Sequence, residues 1–104
     1  MRCLFLYRNS ISDITPLENL TQLKSLSLWQ NQVSDLTPLI NLTNLEDINL
    51  KNNRISDISP LIENLGIGKG DELNIKGNRL NLSRGSQDLE NIQILEERGV
   101  SVSY

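Results

Sequence analysis

Leu26-Ser27-Leu28-Trp29-Gln30-Asn31 runs on into Val33-Ser34-Asp35-Leu36-Thr37-Pro38-Leu39, and both halves of this stretch return elsewhere in the chain. Upstream stand Leu4-Phe5-Leu6-Tyr7-Arg8-Asn9 and Ile11-Ser12-Asp13-Ile14-Thr15-Pro16-Leu17. Downstream stand Ile48-Asn49-Leu50-Lys51-Asn52-Asn53 and Ile55-Ser56-Asp57-Ile58-Ser59-Pro60-Leu61, then a partial copy, Leu73-Asn74-Ile75-Lys76-Gly77-Asn78. The asparagines that close the first half fall 22, 22 and 25 residues apart. Self-similarity at such a period marks a solenoid, a stack of one repeated supersecondary unit.

Repeats numbered from Met1, Leu23 and Leu45 ask for apolar residues at positions 1, 4, 6, 11, 14, 17 and 20; among these 21 sites only Asn64 departs, with Leu65 one place later. A chain that is 38% apolar would fill about 8 of them by chance. The leucine pair around each outward residue alternates with period two, as a short strand does. Strands from successive repeats then stack in parallel about 4.8 Å apart, since no repeat can bury its apolar face alone. Where the chain leaves the strand and turns inward, a buried asparagine supplies both donors and acceptors to the turns beside it. Asn9, Asn31, Asn53 and Asn78 are therefore expected to form a ladder.

On the returning side Thr15, Thr37 and Ser59 stand where an N-cap oxygen is wanted, each followed by proline, and Thr15 with Glu18 fits a capping box. The short distance to the next strand allows single helical turns of the 3₁₀ kind. Asp13, Asp35 and Asp57 recur with the repeat and read as turn formers. A three-residue insertion falls in 62–70, where Ile67 can replace the apolar residue missing at Gly70. Ser86 reads as the N-cap of a helix over 87–98 with Leu89, Ile92 and Leu95 on one side, Gly99 as its stop, and residues 100–104 as a last strand. The chain is thus one α/β domain: a right-handed solenoid with its parallel sheet on the concave face and 3₁₀ turns on the convex face. Its repeats span 1–22, 23–44, 45–69 and 70–85, and a helix–strand cap spans 86–104. No corresponding N-terminal cap is present, so the first repeat's face is expected to be open unless further repeats or a second copy of the chain cover it.

These residues match the leucine-rich-repeat pattern, and the recurring Ser-Asp-Ile/Leu-Ser/Thr-Pro-Leu segment is more specific. It resembles the 22-residue repeats of bacterial internalin-like proteins and of the eukaryotic phosphatase-regulating, SDS22-like proteins. The tail, Gly77-Asn78-Arg79-Leu80, a helix, and Glu97-Arg98-Gly99-Val100, resembles the end of internalin-like arrays, where the family has proline in place of Arg79. The resemblance implies a protein-binding scaffold within a bacterial surface or secreted protein. An intracellular regulatory scaffold and a structural section closing a longer solenoid are its alternatives.

Composition narrows the chemistry. Ten Lys and Arg against 13 Asp and Glu give a net charge of −3, with no basic footprint for nucleic acid. The chain holds one cysteine and no histidine, which removes a disulfide, a Cys/His zinc site and the commonest general base. No apolar run suits a membrane span and the N-terminus does not read as a signal peptide. No nucleophile–base pair, cofactor loop or metal cluster is legible: Gly66-Ile67-Gly68-Lys69-Gly70 reads as a turn, and Cys3 as an unpaired thiol. The glycosylation-like triplets starting at Asn19 and Asn41 fall at one repeat position and read as template. An enzyme and a cofactor are therefore not expected.

The outward strand positions 3, 5 and 7 are the candidate binding surface. Position 3 carries Cys3, Ser25, Asp47 and Glu72; position 5 carries Phe5, Ser27, Asn49 and Asn74; position 7 carries Tyr7, Trp29, Lys51 and Lys76. Three of the four aromatic residues gather here, as aromatics do at binding hot spots. Tyr7 and Trp29 could instead merely stack as cross-strand neighbours. Asp47 beside Glu72, and Lys51 beside Lys76, place like charges on adjacent strands, which marks a functional surface or long side chains splayed into water. The expected contact residues are Phe5, Tyr7, Trp29, Asp47, Asn49, Lys51, Glu72 and Lys76, with a protein as partner and a dimer through the open N-terminal edge as a further possibility.

Overall fold

The computed structural model describes residues 2–104, and the core position assigned to Met1 lies outside them. Five three-residue strands, β1 (Cys3–Phe5), β2 (Ser25–Ser27), β3 (Asp47–Asn49), β4 (Glu72–Asn74) and β5 (Ser101–Ser103), form one parallel sheet in chain order. The register is strict: Leu4, Leu26, Ile48, Leu73 and Val102 lie side by side and face inward. The 25-residue spacing does not shift it, because the inserted residues are taken up on the returning side.

That side carries 3₁₀ turns at Thr15–Leu17 and Thr37–Leu39, but the third return is an α-helix, α1 (Ser59–Glu63). The three extra residues give it room, and the Asn64 amide closes its last turn on the Pro60 carbonyl at 3.1 Å. The capping expectation is corrected. Ile14, Leu36 and Ile58 hold the cap positions and supply no side-chain oxygen. The oxygen comes from one residue earlier still: Asp13, Asp35 and Asp57 accept from the amides of Thr15, Thr37 and Ser59, each at 2.9 Å. Thr15 also donates its hydroxyl to Asp13 at 2.6 Å. The hydroxyl and amide of Thr15 hold the Asp13 carboxyl below its usual range, and Thr37 does the same for Asp35. Glu18 enters no capping box; its amide donates to the Thr15 carbonyl.

The core is a single stack of leucine and isoleucine. Leu23, Leu26, Leu28, Val33, Leu36, Leu39 and Leu42 of the second repeat are all at most 1% exposed. Leu4, Leu6, Ile11 and Leu20 of the first repeat are only partly buried, with a described neighbouring repeat on one side. At the other end α2 (Gln87–Glu97) lies across the core with Ile92 and Leu95 fully buried. Ser86 caps it by accepting from the Leu89 amide at 3.2 Å, and Arg98 donates to the Ile62 carbonyl at 2.8 Å. Gly99 has φ +96°, and a Cβ there would stand 2.9 Å from the Cα of Lys69, so the turn into β5 has space for glycine only.

The insertion departs from expectation in one residue. Leu65 does not fill the place that Asn64 fails to fill: Leu65 is 87% exposed and Asn64 is completely buried. The Asn64 amide nitrogen reaches back one repeat to the carbonyls of Leu39 at 2.8 Å and Leu42 at 3.1 Å, and its oxygen accepts from the Gly66 amide at 2.9 Å. Ile67, in contrast, is buried as expected.

Candidate functional site

Arg8, Gln30 and Asn52 have φ of 59°, 58° and 60°, and Gly77 has 71°. All four stand directly after the last outward residue of a strand, where a left-handed residue turns the chain inward. That conformation costs a side-chain-bearing residue roughly 1–2 kcal/mol, and it sets the next residue, the asparagine, beneath the preceding repeat.

The asparagines use that placement in one pattern. Asn53 donates to the carbonyls of Leu28 at 2.8 Å and Leu50 at 3.1 Å and accepts from the Val33 amide at 3.1 Å. Asn78 donates to Leu50 and Ile75, both at 2.9 Å, and accepts from Ile55 at 3.0 Å. Asn31 donates to Leu6 and Leu28 and accepts from Ile11. Each side chain joins its own turn to the repeat before it. Asn9 has no described repeat before it; it is exposed, donates only to the Tyr7 carbonyl at 3.1 Å, and so is not a buried rung.

Positions 3, 5 and 7 of every repeat point away from this stitching. Phe5 is 60% and Tyr7 52% exposed, while Trp29 is half-buried. The Tyr7 and Trp29 rings lie 6.0 Å apart, tilted by 46°. The Arg8 guanidinium sits 5.2 Å from the Trp29 ring centre, held by donation to Gln30 at 3.1 Å. The Trp29 indole nitrogen is buried without a hydrogen-bond partner. A molecule approaching this end therefore meets the Phe5 and Tyr7 rings and a cation-covered tryptophan. The Tyr7 and Trp29 rings are thus in tilted cross-strand contact, while Phe5 and Tyr7 still face water. The role of Arg8 was hidden in the sequence, because its aim depends on the left-handed turn; Gly77 at the equivalent place is the one clue to that turn.

Farther along the sheet, Asp47 and Glu72 are register neighbours, as are Asn49 and Asn74. An open depression of about 330 Å³ lies there, lined by Asp47, Asn49, Glu72, Asn74, Ser101 and Ser103. Lys51 and Lys76 stand at position 7, two residues beyond Asn49 and Asn74. At the N-terminal edge Leu6, Ile11, Ile14, Pro16 and Leu17, with Asp13 beside them, line a mostly apolar hollow of about 200 Å³. Among the described residues no group of three or more His, Cys, Asp and Glu could hold a metal ion, and no helix is long and apolar enough to cross a membrane. Cys3 is exposed and free.

Comparison with known proteins agrees with this geometry. Residues 1–41 and 21–63 match the family model "Leucine Rich repeats (2 copies)". The chain is similar in structure to internalin C2 of Listeria monocytogenes, with a TM-score of 0.76 and 37% identity over 99% of this chain and 42% of that one. It is similar to internalin F of the same organism, with a TM-score of 0.79 and 31% identity over 100% of this chain and 30% of that one. A leucine-rich-repeat protein of Leptospira interrogans shares the fold, with a TM-score of 0.80 at 20% identity over 100% of this chain and 25% of that one. No curated protein sequence matches the chain. It thus spans less than half the length of these solved relatives. With its strand register, its asparagine rungs and the family match over 1–41 and 21–63, the chain belongs to the leucine-rich-repeat family, and its repeats are internalin-like.

Proposed function

We propose that the chain binds another protein on its concave sheet face, as part of a bacterial surface or secreted protein, with Phe5, Tyr7 and Trp29 as anchors and Asp47, Asn49, Lys51, Glu72 and Lys76 as the surrounding contacts. The observation that carries this reading is the exposure of Phe5 and Tyr7, 60% and 52%, at positions that the repeat leaves free of core duty. Exposed aromatics on a rigid sheet lose little side-chain freedom on binding and bring large contact area. The test compares the wild-type chain with a Phe5→Ser/Tyr7→Ser variant in a capture experiment from host and cognate extracts. Leu82→Ser, which removes a 47% exposed leucine elsewhere, is the control. A partner held by wild type and control but lost by the double variant supports the proposal; identical capture by all three refutes it.

The half-buried Leu4, Leu6 and Ile11 and the apolar hollow beside them favour a second reading, association of two copies through the N-terminal edge. Light scattering across a dilution series tests it: a mass that stays monomeric at every concentration removes it.

A further inference from the structure

The concave face carries two chemistries, and the half over β3, β4 and β5 is the more specific. Along each strand direction it changes sign. Position 3 holds carboxylates, Asp47 and Glu72, on neighbouring strands. Position 5 holds Asn49 and Asn74, whose side-chain oxygens are already used: they accept from the amides of Lys51 and Lys76, both at 3.1 Å. That bond fixes each amide group and leaves its nitrogen as the outward donor. Position 7 holds the ammonium groups of Lys51 and Lys76. The face therefore runs from paired anions, through paired neutral donors, to paired cations, and the anion and amide rows line an open depression of about 330 Å³.

Two facts decide what fits it. The carboxylate row and the lysine row are four residues apart along the chain, with Lys51 and Lys76 just beyond the ends of β3 and β4, so about 13 Å is the upper limit of their separation at about 3.3 Å per residue. A second extended chain laid along the strands has the same rise, so its residues i, i+2 and i+4 face the sheet at the spacing of positions 3, 5 and 7. Like charges side by side also repel in the free protein, and an opposite charge arriving from outside relieves that repulsion at each row.

We infer that this half of the face seats an extended peptide segment of a protein partner, with a lysine or arginine against Asp47 and Glu72, an acceptor side chain against the Asn49 and Asn74 amides, and an aspartate or glutamate against Lys51 and Lys76. This rests on the concave face being the binding face and adds which partner chemistry it selects. The segment can run in either direction, since only the positions of its charges are fixed.

Selection of a random dodecapeptide library on the full chain tests the inference. Peptides enriched on wild type carry a cation and an anion four residues apart. On a Lys51→Glu/Lys76→Glu variant, whose two rows are both acidic, the enriched pattern changes to two cations four apart. Neutralising one row with Asp47→Asn/Glu72→Gln weakens capture of wild-type-selected peptides by about tenfold. Circular dichroism of each variant confirms that these exposed substitutions leave the fold intact. Enriched peptides without the charge pattern, a pattern that does not change with the lysine row, or no enrichment at all each overturn the inference. Peptides that depend on Phe5 and Tyr7 but ignore both charge rows overturn it while leaving the concave-face proposal standing.

Discussion

Replacing Asn53 by alanine tests the rung geometry most directly, because the bonds that remain afterwards can be counted in advance. Asn53 is 7% exposed and holds Leu28, Leu50 and Val33 together. Two of these groups have a second partner. The Leu28 carbonyl still accepts from Asn31 at 3.1 Å, and the Leu50 carbonyl from Asn78 at 2.9 Å. The Val33 amide has no such reserve, and its residue is fully buried. The loss is thus one orphaned buried amide and two weakened carbonyls, about 1–3 kcal/mol in total. With a urea slope near the lower end for small domains, about 1 kcal/mol per M, that lowers the midpoint by about 1–3 M. The assay is urea unfolding followed by the fluorescence of the single tryptophan, Trp29. Asn9→Ala is the internal reference: the same residue type at the same repeat position, but exposed and bonded only within its own turn, so its loss stays within about 0.5 kcal/mol. Asn53→Asp separates donor from acceptor. It keeps an oxygen for Val33 but turns a carboxylate toward two carbonyls, so at neutral pH it is no better than alanine, and it recovers part of the loss as acid protonates it. If Asn53→Ala unfolds at the same midpoint as Asn9→Ala, the rungs do not carry the inter-repeat stability assigned to them.

Two further outcomes are expected. A Cβ at Gly66 would stand 2.1 Å from the Thr43 carbonyl oxygen, so Gly66→Ala must displace the insertion from the second repeat and costs roughly 1–3 kcal/mol; a melting temperature equal to wild type would contradict it. Asp13 and Asp35 are bound more tightly as carboxylates in the folded chain than in the unfolded one, whose ordinary value is 3.8. Their lowered folded values make this contribution complete above that value and lost as pH falls through the folded range. Asp35→Asn therefore flattens the acid limb of a melting-temperature profile, and a limb as steep as wild type would refute the role of Thr37.

The fold was legible because the repeat states each core position several times, so Leu26, Ile48 and Leu73 vouch for one another. Features stated once, or dependent on backbone angles, were not. Asn64 read as a fault in the template, because no pattern of apolar residues shows that a buried amide can replace a leucine by reaching back to Leu39 and Leu42. The turn caps were misplaced by two residues, since threonine and aspartate are both good capping residues and only geometry shows that Asp13, Asp35 and Asp57 accept the bond. Arg79 stands where the resembling family has proline, and the structure gives a reason for a residue with an amide. Its N–H donates to the Ile55 carbonyl at 2.8 Å, as Gln32 does to Ile11 and Arg54 to Val33. Of the candidate site, the membership of the outward rows was readable from period two alone, whereas the cover of Arg8 over Trp29 and the locking of Asn49 and Asn74 were not.

The division of labour within a repeat also bears on where specificity can reside. Positions 4, 6, 11, 14 and 17 are committed to the core. Position 8 is bound to a left-handed backbone, position 9 to the rungs and position 13 to the turn. A change at a core position or at a buried rung disturbs the adjoining repeat as well, because those groups pack or bond across the boundary. Positions 3, 5 and 7 meet no such demand, yet strict register brings their side chains together at strand spacing, so a choice made in one repeat is read beside the choice in the next. At Asn49 and Asn74 the same amide appears twice, at Lys51 and Lys76 the same ammonium, and at Asp47 and Glu72 the same charge, although like charges side by side work against the stack. The asparagine pair has a local task, accepting from the amides of Lys51 and Lys76, whereas the charged pairs have no such bond. On positions that the core, the rungs and the turns leave free, the proposed charged partner offers each row the opposite charge that the neighbouring strand does not.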